Sequence, residues 1–178
     1  MAAKLSTLGA MPQRLPLDDQ LPALLETLRS GRTTLLSAPP GAGKSTLVPG
    51  AVADQSWCAG RVLVSQPRRL AAQALARRVA AQRGTKLGGE VGYSVRFDRQ
   101  VSAATRVEFV TAGLLLRRIQ SDPFLDGVDC VILDEFHERS LDSDLSLALL
   151  LQVQAEARPD LRLVIMSATL DVSALERR

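Results

Sequence analysis

Apolar residues fall in short clusters along the chain, and polar or glycine-rich segments separate them. The segment DDQLPALLETLRSG (18–31) starts acidic, carries Pro22 early and ends on Arg29 and Gly31, which predicts a helix. RTTLLSA (32–38) is a short β-rich run that stops at two prolines. Residues 44–53 predict the next helix. RVLVSQ (61–66) is a second apolar run. Pro67 can open a helix that runs to Arg83, with Gly84, Gly88 and Gly89 behind it. EVGYSVRF (90–97) and TRVEFVTA (105–112) predict strands, and AGLLLRRIQ (112–120) a short helix closed by Asp122-Pro123. DCVILDE (129–135) predicts a strand ending in carboxylates. Residues 140–157 carry Leu141, Leu145, Ala148 and Leu149 at helical spacing. LRLVIMSAT (161–169) predicts the last strand.

Strands with apolar residues at consecutive positions, separated by helices, predict an α/β fold. Its sheet is mostly parallel, with helices on both faces. In such sheets ligands sit beyond the carboxyl ends of the strands. PPGAGKST, QPRR, DEFH and SAT each follow an apolar strand, so the polar chemistry gathers at that edge.

Length and composition change this picture little. At 178 residues the chain is one domain that buries a core without a disulfide or metal. Cys58 and Cys130 lack metal-ligand spacing and His137 is the only histidine, which argues against zinc. Two isolated cysteines suit a reducing cytoplasm. The segment MAAKLSTLGAMPQRL has no signal-peptide core, and no apolar run is long enough to span a bilayer. Residues 1–14 read as a flexible N-terminal extension, with Met11 a second candidate start. The net charge of +3 and pI near 9.3 point weakly to nucleic acid. Only Lys4, Lys44 and Lys86 among the 22 basic residues are lysines. A GC-rich genome accounts for most of the arginines, and Lys44 stands out against them.

APPGAGKS matches a phosphate loop once Ala38 is accepted in place of the usual first glycine. Gly41 and Gly43 permit positive φ and close approach to a ligand. Ala42 and the neighbouring main-chain N–H groups line a nest for phosphate oxygens, and the next helix aims its positive end there. Lys44 would reach the β- and γ-phosphates of ATP, with Ser45 on Mg²⁺ and Thr46 beside it. The bland alternative is a Gly/Pro turn, but the loop's place between strand and helix favours the nucleotide. Asp134 is then placed to hold Mg²⁺ and Glu135 to orient the attacking water. Without the loop upstream, the same pair would read as an acidic helix start. His137 follows by two residues and is a candidate relay, with Ser167 and Thr169 as possible partners.

Taken together, APPGAGKST, SQPRR, VGYSVRFD, TAGLLLRR, DEFHERS and MSAT stand in the order of the superfamily 2 helicases. The set resembles the DEAH/RHA group, and DEFHERSLDSDL looks like its bacterial HrpB-type RNA helicases. The resemblance runs from about Leu15 to Leu170. It implies a P-loop NTPase domain of the RecA-like type over residues 15–178, the first of two motor domains. It places Lys44, Ser45 and Thr46 on the phosphate and Mg²⁺ positions, and Asp134 and Glu135 on the metal and water positions. Ser167 and Thr169 fall on the motif coupling hydrolysis to unwinding. Arg68, Arg69 and Thr111 fall on nucleic-acid contacts, and Arg78 on an arginine that packs against adenine. Ala112 departs from the acidic residue that many relatives carry after Thr111. The implied partners are single-stranded RNA, with DNA possible, and a second RecA-like domain that supplies arginine fingers. The domain by itself is expected to be a monomer. A nucleotide-sensing module without unwinding, and a small P-loop kinase, are the competing readings. The order of DEFH and SAT does not fit a kinase, and the intact Glu135 argues against a sensor.

Overall fold

Seven strands form one sheet whose order turns positions far apart in sequence into neighbours. The computed structural model describes residues 16–168; the extension expected over 1–14, and Thr169, lie outside the described residues. The strands are β1 (Thr33–Ser37), β2 (Arg61–Gln66), β3 (Val91–Val95), β4 (Asp98–Gln100), β5 (Val107–Thr111), β6 (Val128–Leu133) and β7 (Arg162–Ser167). They lie in the order β1-β7-β6-β2-β5-β3-β4. Only the β3–β4 pair is antiparallel.

The consecutive apolar residues of the central strands are explained by their two covered faces. In β2, Val62 and Val64 join one core cluster while Leu63 joins the other. In β6, Cys130 and Ile132 face one way and Val131 and Leu133 the other. On the first face pack α1 (Leu21–Ser30), α2 (Lys44–Ala53) and α3 (Arg69–Gln82), through Leu28, Val48, Val52, Ala72, Ala76 and Val79. The second face is covered by α4 (Ala112–Ser121) and α5 (Leu141–Glu156), through Leu115, Ile119, Leu147 and Leu150. Both cysteines are free and buried. Burial pushes the Cys58 thiol up to about 11 and raises Cys130 well above the ordinary range. Among the described residues no helix is long and apolar enough to cross a membrane.

Four expectations need correction. Pro67 does not open α3: Arg68, the N-cap, is extended at φ −123° and ψ 137°, and the helix starts at Arg69. The strand expected over 90–97 ends at Val95, and after Arg96 and Phe97 the chain folds back as β4. Asp98 in β4 accepts hydrogen bonds from Tyr93 (2.8 Å) and from Gln73 of α3 (2.7 Å), fixing this hairpin to the helix. Asp134 and Glu135 lie just past the end of β6 rather than within it. In α5 the spacing of Leu141, Leu145 and Ala148 marks the exposed side, with Leu141 81% exposed. The buried side holds Ser146, Leu147, Leu150 and Gln154. Gln154 tolerates burial because its amide donates to the carbonyls of Arg32 (3.1 Å) and Leu161 (2.7 Å) and accepts from the Thr33 hydroxyl.

A buried carboxylate lies near the start of β5. Glu108 is fully buried and accepts from Ser94 (2.6 Å), Arg61 (2.7 Å) and Arg118 (3.2 Å). Burial opposes its charge, but the Ser94 hydroxyl and the two guanidiniums outweigh burial and hold the carboxyl below its usual range.

Candidate functional site

Six parallel strands end at one edge, and the described residues of the motifs singled out in the sequence follow the ends of those strands. From one side to the other it carries the loop after β1, Ser167 at the end of β7, the carboxylates after β6, the arginines after β2, and Thr111 ending β5. β1 and β5 stand four strand spacings apart, roughly 19 Å. The expected phosphate-loop residues therefore sit at one end of a short row and the expected nucleic-acid residues towards the other.

The phosphate loop has the backbone that its sequence requires. Gly41 and Gly43 adopt φ of 80° and 97°. A Cβ on Gly41 would meet nothing within 4 Å, so backbone conformation rather than space calls for glycine there. Gly43 caps α2, and its carbonyl accepts from the N–H groups of Thr46 (3.1 Å) and Leu47 (2.8 Å). The Thr46 hydroxyl closes on the same carbonyl at 3.2 Å. Among the described residues the N–H groups of Gly43, Lys44 and Ser45 find no main-chain acceptor, as expected at a helix start. Lys44 is only 5% exposed. Its ammonium donates to the carbonyls of Ala38 and, at 3.1 Å, Pro39. No described carboxylate lies within ion-pair distance of it. A buried cation neutralised only by carbonyl dipoles favours an anionic ligand.

Of the two carboxylates after β6, Glu135 shares a cleft with this loop. Asp134 is buried, accepting from the Gln66 amide at 2.5 Å and from the Glu135 N–H at 2.9 Å. Glu135 is left-handed, at φ 52° and ψ 37°, an uncommon state for a residue with a side chain. A turn of 3-10 helix (Phe136–Glu138) follows. Its His137 Nδ1 lies 3.4 Å from Glu135 Oε2, and the Ala168 N–H points at the same nitrogen at 3.4 Å. That nitrogen stands between the Glu135 carboxylate and the start of the SAT segment.

One cleft of about 210 Å³ is lined by residues 40–46 together with Leu75, Arg78 and Glu135. It unites the loop, the expected adenine residue and the expected water-orienting residue. A larger cavity of about 500 Å³ opens at the opposite edge of the sheet, around Gly60, Arg61, Arg106 and Arg118. The arginines there are committed to the fold: Arg61 and Arg118 hold Glu108, and Arg106 holds the carbonyls of Ala53, Cys58 and Gly60.

At the other end of the row, Arg68 and Arg69 are exposed at the start of α3. Thr111 caps α4 and lines a groove of about 350 Å³ with Arg96, Leu114, Arg117 and Asp142. Ala112 is 5% exposed and turned into the core. Sequence reasoning assigned no role to Gln66, Glu138, Arg96 or Arg117 at this edge, although each was visible as a polar member of a quoted motif: SQPRR, DEFHERS, VGYSVRFD and TAGLLLRR.

The DEAD/DEAH box helicase family model matches residues 18–177. This chain belongs to that family. It is 51% identical over 163 residues to the ATP-dependent RNA helicase HrpB of Escherichia coli, covering 92% of this chain and 20% of that protein. It is 44% identical to the probable ATP-dependent RNA helicase DHX35 of Homo sapiens, over 89% of this chain and 23% of that one. The chain thus spans about a fifth of the length of these family members. The crystal structure of the Escherichia coli DEAH/RHA helicase HrpB superposes with a TM-score of 0.88 at 51% identity, over 92% of this chain and 21% of that one. The family's RecA-like fold is therefore the fold of this chain.

Proposed function

We propose that this chain is the first motor domain of an ATP-dependent RNA helicase, working with a second RecA-like domain in a longer protein. Support comes first from Lys44, a buried ammonium without a carboxylate partner, in the same cleft as Glu135. The triphosphate of ATP supplies the missing negative charge. The unpaired N–H groups of Gly43, Lys44 and Ser45 bind its oxygens, and the positive end of α2 adds to their pull. Arg78, at the rim of the same cleft, stacks on the base. The Ser45 hydroxyl and the Asp134 carboxylate form an all-oxygen donor set that fits Mg²⁺. When bound, that ion would offset phosphate charge and the repulsion between the two carboxylates.

Glu135 accepts a hydrogen bond from a water and holds it in line with the γ-phosphate. The Asp134 carboxylate is fixed by Gln66 and by the Glu135 N–H, so the two carboxylates keep different tasks. His137 passes the state of Glu135 to Ala168 and the neighbouring Ser167. Arg68, Arg69 and Thr111 take the sugar-phosphate backbone of single-stranded RNA. Arginine fingers from the second domain would be worth about 10³–10⁵ in rate, so this domain alone turns over slowly. It works as a monomer, and its two free cysteines support a reducing, cytoplasmic setting.

The test is ATP hydrolysis by the longer protein with and without single-stranded RNA. Hydrolysis stimulated by RNA is the expected result. Tight nucleotide binding with no hydrolysis would return the nucleotide-sensing alternative. Equal stimulation by DNA would widen the substrate class.

A further inference from the structure

Arg68 already has a partner. Its Nη2 lies 3.2 Å from Glu138 Oε2, across two elements separated by 70 residues. The Arg68 side chain is 74% exposed and that of Glu138 35%. An exposed pair of this kind contributes little and is readily exchanged. A phosphate diester offers the same guanidinium a similar anionic oxygen edge.

Glu138 belongs to a constrained turn. Glu135 and Arg139 flank it at positive φ, 52° and 40°, and both carry side chains. Such backbone persists only where surrounding contacts hold it. Here the Glu138 N–H donates to the Glu135 carbonyl at 2.9 Å, and Phe136 is buried. His137 faces Ala168, and Arg139 pairs with Asp144 at 2.9 Å. Of these restraints, Glu138–Arg68 alone uses a residue that the strand is expected to claim.

We infer that Glu138 competes with the nucleic-acid backbone for Arg68, holding the arginine in reserve and tying strand binding to the turn that carries Glu135. This rests on the reading of Arg68 as a phosphate contact. Arrival of a strand takes Arg68 away and removes one restraint from the turn. By reciprocity, whatever moves the turn changes the availability of Arg68. Glu138 is thus a positioning residue for hydrolysis and a negative determinant of strand affinity.

The experiment uses the full-length protein and a fluorescent oligouridine, without nucleotide, at several salt concentrations. Glu138→Gln should tighten binding by about two- to five-fold, the range expected for release of an exposed pair. Glu138→Ala is the second variant and should behave alike. In an Arg68→Gln background the same substitutions should have almost no effect, which separates competition for Arg68 from a general loss of negative charge. The ratio of RNA-stimulated to RNA-free ATP hydrolysis should fall in Glu138→Gln, because its turn is already released. Unchanged or weaker binding, or equal tightening in both backgrounds, would overturn the inference. A wild-type protein with no salt-sensitive affinity for the strand would instead remove the helicase reading on which the inference stands.

Discussion

Replacing Lys44 by alanine tests the nucleotide reading on this chain directly. The ammonium is buried beside a cleft with no carboxylate partner, so nucleotide phosphate becomes its counter-charge. A unit charge pair at about 4 Å is worth about 4 kcal/mol at the effective dielectric near a protein surface. At about 1.4 kcal/mol per tenfold, that is a loss of nearly three decades in affinity. Consider ATP at about 100 times the wild-type Kd. Binding then stabilises the wild-type fold by about 2.7 kcal/mol. For a domain of this size that raises Tm by roughly 5–11 °C. At the same ATP concentration the variant site is mostly empty, and the rise shrinks to less than about 0.5 °C. Thermal unfolding of the two proteins with and without Mg-ATP measures the difference. An equal rise in both would show that the phosphates do not meet Lys44, and the reading of the loop would fall with it.

Glu135→Gln in the longer protein should keep nucleotide bound while hydrolysis stops, checked by equilibrium binding beside phosphate release; normal turnover would remove Glu135 from its role. Arg68→Ala should lower the slope of log affinity for RNA against log salt by about one, since one phosphate contact is lost. Glu108→Gln leaves two guanidiniums without their shared carboxylate and should cost about 3 kcal/mol in denaturant unfolding. The folded pKa of Glu108 lies below its unfolded value. Its stabilisation is therefore complete above the ordinary glutamate range and lost as pH falls through the depressed folded value. The stability gap between wild type and Glu108→Gln should close in acid, and a constant gap would mean that Glu108 does not carry the charge assigned to it.

The order of strands and helices was legible because central strands covered on both faces read as unbroken apolar runs. Residues 38–45 and DEFH stood out because the chemistry proposed for them calls for particular residue types at fixed spacing. The hairpin strand β4 was not, since Asp98, Arg99 and Gln100 pair on one side only and have no apolar face to reveal. In α5 apolar residues lie all round, so Leu141 and Leu145 matched helical spacing without marking the buried side. The role of Glu108 was not legible in VEFVT, because its partners sit 10, 14 and 47 residues away and only the sheet brings them together. The pairing of Arg68 with Glu138 was hidden for the same reason, as it joins two motifs that the sequence presents separately.

The two thiols open a practical route to following this domain in solution. Cys58 and Cys130 are the chain's only cysteines, both have no accessible surface, and both are poor thiolate formers near neutral pH. Maleimide dyes should pass them by while the domain is folded. A cysteine engineered at Phe124, 56% exposed in the loop that leads into β6, would then take label selectively, with the native pair left untouched. Fluorescence from that remote handle would follow rigid-body swings of the domain, and late reaction of the inner thiols would mark unfolding in the same sample.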